Sequence, residues 1–343
     1  MNRRILLWML GVGAGVAIVT QARADRMRVL PDVRAGEPTA GGDQVDAELQ
    51  RFLDGVRVGE RRAHGGLTVF WLHAERGPRP FAIHTLEEAR ARGEVAVTER
   101  DQATVPGLEI DNRGRVHVLL LAGEILLGGK QNRIVVEDVL VPPLSGPLML
   151  PVYCVEQGRW AGDGRAFTTR GSFAAPGLRA RMLERSDQRD VWAEVDRYAN
   201  QAAALSPTGS YQAIHDKPEV QAYQKDIDGT LGRSTAPGAH GAAVFAGDVL
   251  VGLDLFQDPS LFAREWPKLL RAQALETYGR SADGKTDERR MRAYVSDLVR
   301  AAAAAGGVVR RGVGAGRLVE FRATRFRGSA LVAEGQVVHA AIL

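Results

Sequence analysis

An α+β fold, with largely antiparallel sheets and several packed helices in a single globular domain after a signal peptide, is the class this sequence predicts. Three observations point to it. The chain has 343 residues, 45% apolar and 25% charged, which is ample material for a sizeable core. Strand-like and helix-like stretches follow one another in mixed order, without regular strand–helix–strand alternation. No repeat of fixed period runs through them.

The elements follow in chain order. Arg3 and Arg4 precede the apolar run ILLWMLGVGAGVAIV, and Ala22, Arg23 and Ala24 have the small-x-small form that signal peptidases accept. The run contains three glycines and is shorter than the roughly 20 residues of a spanning helix. Residues 1–24 therefore read as a signal peptide cleaved after Ala24, and the mature chain as exported, periplasmic or extracellular. A retained membrane anchor is the alternative. Residues 25–44, with Pro31, Pro38, Gly41 and Gly42, read as a poorly ordered leader, and the folded domain as 45–343, starting near Asp46.

Within the domain, LTVFWLH at 67–73 is a strand by its β-branched and aromatic content. TLEEARARG at 85–93 is a short helix capped by Thr85 and ended by Gly93. Strands follow at 95–99, 116–127, 133–141 and 149–157. Beyond Ser172 the period changes: Val191, Val195, Tyr198, Ala202 and Leu205 mark an amphipathic helix over 187–205 with Asp187 as its cap. A second helix is expected at 217–228, and a hairpin over 242–256 that turns at Gly247 and Asp248. Asp258 and Pro259 open another helix, which Pro267 is expected to break and restart. An alanine-rich helix over 286–305 ends at Gly306 and Gly307. Strands at 317–326, 329–334 and 336–343 close the chain, the last two joined at Gly335.

Composition limits the function. Cleavage would remove Arg3, Arg4 and Arg23 and no acid, so the formal charge falls from +4 to +1. A nearly neutral mature chain lacks the concentrated positive field of a nucleic-acid binder, and with the signal gone it has no membrane segment. The arginine-rich stretch 310–328 alternates cations with apolar residues, as a half-exposed strand does. Cys154 is the single cysteine, so no internal disulfide forms and the core alone stabilises the fold. The seven histidines show no zinc spacing, and no metal or cofactor is predicted.

Two stretches carry candidate chemistry. In GEILLGGKQNR, at 123–133, a carboxylate sits on an otherwise apolar strand and two cations follow a glycine pair. A two-residue turn at Gly128 and Gly129 would set Glu124 opposite Arg133, with Leu126 and Gln131 on the same face and Lys130 and Asn132 on the other. A simple ion pair is the plain reading, and a polar binding face the functional one. A Walker phosphate loop is excluded, because Glu124 stands where its first glycine belongs and Gln131 where Ser or Thr belongs. In PVYCVEQGRW, at 151–160, Val152, Cys154 and Glu156 share a strand face, and Gly158 allows Arg159 and Trp160 to turn back. Trp160 could stack a planar ligand or plug the core edge. No histidine lies near Cys154 in sequence, which favours a structural thiol.

These two stretches, together with VTE at 97–99, VPGLEIDN at 105–112, DVWAEV at 190–195 and GLDLF at 252–256, resemble the ARG and rhodanese-phosphatase-superfamily-associated protein domain. The resemblance spans most of the chain, from about residue 65 onward. It implies a role near NAD or ADP-ribose metabolism, and it carries the motif positions to Glu124, Gln131, Arg133, Glu156, Arg159 and Trp160. The expected ligand is then a phosphorylated, nucleotide-like small molecule. Glu124 and Glu156 would act as acid/base groups, and Lys130, Gln131, Arg133, Arg159 and Trp160 would bind it. A binding module without chemistry and a purely structural ion-pair network are the rival expectations. Such metabolism is chiefly cytoplasmic, so either the ligand is extracytoplasmic or the domain has been reused.

Overall fold

Asp46, the expected start of the domain, accepts a hydrogen bond from the Leu49 amide at 3.1 Å and caps α1 (Ala47–Asp54). The computed structural model describes residues 44–343 except 76, 78–80, 101–106, 162–163, 234, 281–286 and 324. The expected signal peptide, and the expected leader up to residue 43, lie outside the described residues.

After α1 come β1 (Arg57–His64), β2 (Leu67–His73), β3 (Ile83–Thr85) and α2 (Leu86–Ala91). Thr85 caps α2 as expected, and the Glu88 carboxylate returns a bond to the Thr85 amide. Eight strands follow: β4 (Val95–Thr98), β5 (Gly107–Asn112), β6 (His117–Leu120), β7 (Ile125–Gly128), β8 (Arg133–Val135), β9 (Val139–Val141), β10 (Ser145–Cys154) and β11 (Phe167–Thr168). Then come α3 (Pro176–Leu183), α4 (Gln188–Gln201, capped by Asp187), α5 (Gln212–Asp216) and α6 (Pro218–Ile227). A π-helical turn (Asp228–Gly232) extends α6. The chain continues with β12 (Gly241–Ala246), β13 (Val249–Phe256), α7 (Pro259–Ala274) and α8 (Glu288–Ala303). It ends with β14 (Gly307–Arg311), β15 (Arg317–Ala323), β16 (Phe326–Ala333) and β17 (Gln336–Ile342).

The strands form three sheets, antiparallel except for the β3–β6 pair, and with the helices they make one α+β domain. The largest sheet runs β1-β2-β12-β13-β17-β16-β15-β14, the second β11-β7-β8-β10-β5-β4, and the smallest β3-β6-β9. Strand alternation sends Val69 and Trp71 to one face of the large sheet, against Phe262, Trp266 and Leu269 of α7. Phe70 and Leu72 go to the other, against Leu53 of α1 and Val295 and Val299 of α8. A third core packs Ile125, Ile134 and Tyr153 against α3 and α4, and a fourth fills the space between the two smaller sheets with Leu108, Leu120, Leu126 and Val152. Among the described residues no helix is long and apolar enough to cross a membrane.

Four local expectations are corrected. Residues 116–127 do not form one strand: Ala122 and Gly123 turn the chain, so β6 and β7 belong to different sheets. Gly123 adopts φ 110°, which a side chain would strain. Residues 133–141 likewise divide into β8 and β9, because Asp138 leaves the ladder and accepts from the Ala122 amide at 2.8 Å. α7 continues through Pro267, held by the apolar side chains it buries on both sides of that residue. The strand expected over 317–326 is instead the hairpin of β15 and β16.

Candidate functional site

The register of the β7–β8 hairpin decides which polar groups meet. Leu126 pairs with Arg133 and Ile125 with Ile134, and the Val135 amide donates to the Glu124 carbonyl at 3.0 Å. The register is two residues away from that of a tight turn at Gly128 and Gly129, so Val135 stands opposite Glu124 and the expected Glu124–Arg133 pair does not form. The cause lies in the connection itself. The Lys130 amide donates to Glu99 Oε1 at 2.8 Å, and Arg159 reaches the carbonyls of Gly129 and Gly128 at 2.8 and 3.3 Å. These bonds hold the loop open. Gly128 has φ 139°, and a Cβ there would stand 2.4 Å from the Ala166 carbonyl oxygen, so only glycine fits.

The expected residues thus separate into two groups. Around the loop, Glu156 accepts from Arg159 Nε at 2.9 Å, the Asn132 amide at 3.1 Å and the Thr208 hydroxyl at 2.8 Å. Burial pushes its carboxyl up, but the Arg159, Thr208 and Asn132 bonds outweigh that and hold it below the usual carboxylate range. Arg159 also donates to Asn132 Oδ1 at 3.1 Å, so its guanidinium is committed to the protein. Arg133 is buried; its Nη1 donates to the Gln131 carbonyl at 2.9 Å, and among the described residues its Nε has no partner. Burial pushes its pKa down. Gln131 donates to the Glu156 carbonyl at 2.8 Å and accepts from the Cys154 thiol at 3.1 Å. Burial raises that thiol to about 11, the state of an inert structural cysteine. Lys130 lies 5.4 Å from the centre of the Trp160 ring, on the surface.

Glu124 belongs to a different assembly. Gly123 turns its carboxylate toward α7, where Lys268 Nζ contacts Glu124 Oε1, lies 2.6 Å from Glu265 Oε2 and 3.1 Å from Glu87 Oε2. Oxygens of the three glutamates lie within 4.8 Å of one another. Glu124 and Glu265 are fully buried, whereas the Glu87 side chain is 34% exposed and forms the solvent edge of the cluster. Among the described residues Glu124 Oε2 and Glu265 Oε1 have no hydrogen-bond partner. A divalent cation would meet three carboxylates here, but the Lys268 ammonium already provides the central positive charge.

The electrostatics divide these carboxyls. Burial raises Glu124 well above the usual carboxylate range; Lys268 opposes this, and Glu87 and Glu265 reinforce it. Glu265 is raised for the same reason. At Glu87 burial pushes upward too, but the Lys268 charge wins and the carboxyl is lowered. Burial works against the Lys268 charge, and the three glutamates more than restore it.

A second buried network adjoins the first. Arg179 of α3 grips Asp254 of β13 fork to fork, at 3.0 and 2.6 Å. Asp254 Oδ1 lies 3.2 Å from His339 Nε2, and the other ring nitrogen lies 2.6 Å from Asp138 Oδ2. Phe173 separates the two networks, with Arg179 and Lys268 at 5.2 and 5.8 Å from its ring centre. Sequence reasoning missed Glu87, Asp138, Arg179, Asp254, Glu265, Lys268 and His339. The signal was the one that singled out Glu124, a lone charge in an apolar run. Asp254 interrupts VGLDLF, His339 interrupts QVVHAAIL, and Glu265 and Lys268 lie on the Leu261–Ala272 stripe of α7.

A family model, the ARG and Rhodanese-Phosphatase-superfamily-associated Protein domain, matches residues 55–343. No curated protein and no solved structure matches the chain.

Proposed function

Because the chain belongs to the ARG and Rhodanese-Phosphatase-superfamily-associated Protein domain family, we propose that it acts on a phosphorylated, nucleotide-like small molecule of the ADP-ribose kind by acid–base chemistry at the Glu87–Glu124–Glu265–Lys268 cluster. The observation that carries the reading is the opposed displacement of two neighbouring carboxyls. Glu124 is raised and Glu87 lowered, while their oxygens lie within 4.8 Å of one another. Paired carboxyls whose environments drive them apart are the usual means by which one site supplies both a proton donor and a charged acceptor. Glu124 would hold the proton, Glu87 would meet the substrate at the solvent edge, and Lys268 would stabilise negative charge that develops between them. Glu265 keeps the cluster short of positive charge. The Arg179–Asp254–His339–Asp138 network lies beside it, across Phe173.

We also propose that the mature protein works outside the cytoplasm, on the strength of Arg3, Arg4, the apolar run and the Ala22–Ala24 site. Its ligand is then an extracytoplasmic one, or the domain has been reused.

The test is to incubate wild type, Glu124→Gln and Lys268→Met with ADP-ribose, ADP and NAD, following products by phosphorus NMR and binding by calorimetry. Turnover by the wild type that falls at least 100-fold in Glu124→Gln supports the reading. A non-catalytic module is the second reading, favoured by Arg159 and Glu156 spending their hydrogen bonds on the protein. Binding without turnover selects a binding module, and neither binding nor turnover defeats both ligand readings and leaves a structural one.

A further inference from the structure

The end of the β15–β16 hairpin concentrates cations. Arg322 and Arg327 are directly opposite in the ladder, and Arg325 lies in the turn between the strands. Like charges placed opposite one another destabilise a hairpin. Among the described residues none of the three guanidiniums is hydrogen-bonded or ion-paired, although Arg310 and Arg317 in the same sheet both are. Glu184 lines the same pocket, and both it and Glu320 already have arginine partners. Glu184, at the end of α3, is held by Arg181 at 2.8 Å, and Glu320, two residues before Arg322, by Arg185 at 2.8 Å and Arg310.

These arginines line a concave pocket of about 290 Å³ between α3 and the hairpin. Leu183 and Phe326 add apolar wall, and Leu343 exchanges backbone hydrogen bonds with Arg327 at 3.1 and 2.9 Å beside it. The volume is at the small end for ligand pockets, and three exposed arginines against one glutamate, with an apolar wall, match a multiply charged anion bearing an organic group. None of the residues of the carboxylate cluster lines it. We propose that this pocket is a binding site for a phosphorylated small molecule, separate from the carboxylate cluster and independent of any chemistry there. Guanidinium forks on phosphate oxygens would relieve the repulsion between Arg322 and Arg327.

The experiment is calorimetry and thermal unfolding with inorganic pyrophosphate and ADP, sulfate serving as control at matched ionic strength. The expected result is submillimolar binding of pyrophosphate or ADP by the wild type, weakened at least 10-fold in Arg322→Gln/Arg327→Gln. Without ligand that double variant should unfold at the same temperature as the wild type or higher, because the opposed charges are gone. Arg57→Gln, which removes an exposed arginine of β1 outside both sites, should bind like the wild type. No binding by the wild type, equal binding by the double variant, equal affinity for sulfate, or a loss in Arg57→Gln would each overturn the proposal.

Discussion

His339 and Asp138, 201 positions apart in the sequence, meet at 2.6 Å in the buried centre of the molecule, where the imidazole also lies 3.2 Å from Asp254. Burial alone would lower the His339 pKa, but the two aspartates raise it from 6.5 to about 9. A group raised on folding stabilises the protein fully below its unfolded pKa, and that contribution is lost as pH rises through the folded value. Unfolding free energy should therefore fall between pH 6.5 and 9, by on the order of 3 kcal/mol. Urea unfolding at pH 6, 7.5 and 9.5 measures it, and His339→Gln should flatten this window. A wild-type curve level across the window would refute the assignment.

Lys268→Met would leave Glu124 and Glu265 buried without their cation. The expected loss at neutral pH is about 3–5 kcal/mol. Because Glu265 is raised on folding, part of that loss should return as pH falls toward 5 and it takes up a proton. Glu124→Gln preserves volume and mimics the protonated acid, so it should cost about 1 kcal/mol or less. Chemical denaturation of the two variants at pH 5 and 7.5 distinguishes these outcomes, and equal losses in both would rule out the charge assignment.

Arg133 is a buried guanidinium without a carboxylate in ion-pair contact among the described residues, and it bonds mainly to backbone carbonyls. Replacing such a charge by an apolar chain of similar length is often neutral or stabilising. Arg133→Met should unfold within a few degrees of the wild type or above it, whereas Arg133→Ala should lose about 2–4 kcal/mol to the cavity. A large loss in the methionine variant would show that the charge itself holds the loop.

Export is tested directly by mass spectrometry of the protein recovered from its native host. The expected mature N-terminus is Asp25. Soluble cytoplasmic protein that retains Met1 would reject it.

Much of the local structure was legible because it depends on neighbours in sequence. Asp187, Thr85 and Asp258 cap the helices they announce, and Gly247 with Asp248 turns the β12–β13 hairpin. The glycine pair at 128 and 129 misled, since a tight turn and an open loop look alike until Glu99 and Arg159 are placed beside them. Glu124 stood out as a buried charge, but its partner comes from Lys268 in a distant helix. Pairing of that kind is tertiary, and no spacing rule reaches it. Asp254 and His339 carried the same signal of a charge within an apolar strand, and only their convergence on Arg179 and Asp138 reveals its meaning.

The order of strands in the large sheet also bears on how the chain finds its fold. β2 pairs with β12, and their partners Leu72 and Gly241 are separated by about 170 residues that, among the described residues, build both smaller sheets and the five helices α2 to α6. Closing so long an excursion early would sacrifice entropy before any contact rewards it, so the middle of the chain has to compact before the large sheet can zip. Substitutions in the cores of the smaller sheets, such as Leu126 or Val152, should then slow refolding. Those at the far β14 edge should mainly hasten unfolding.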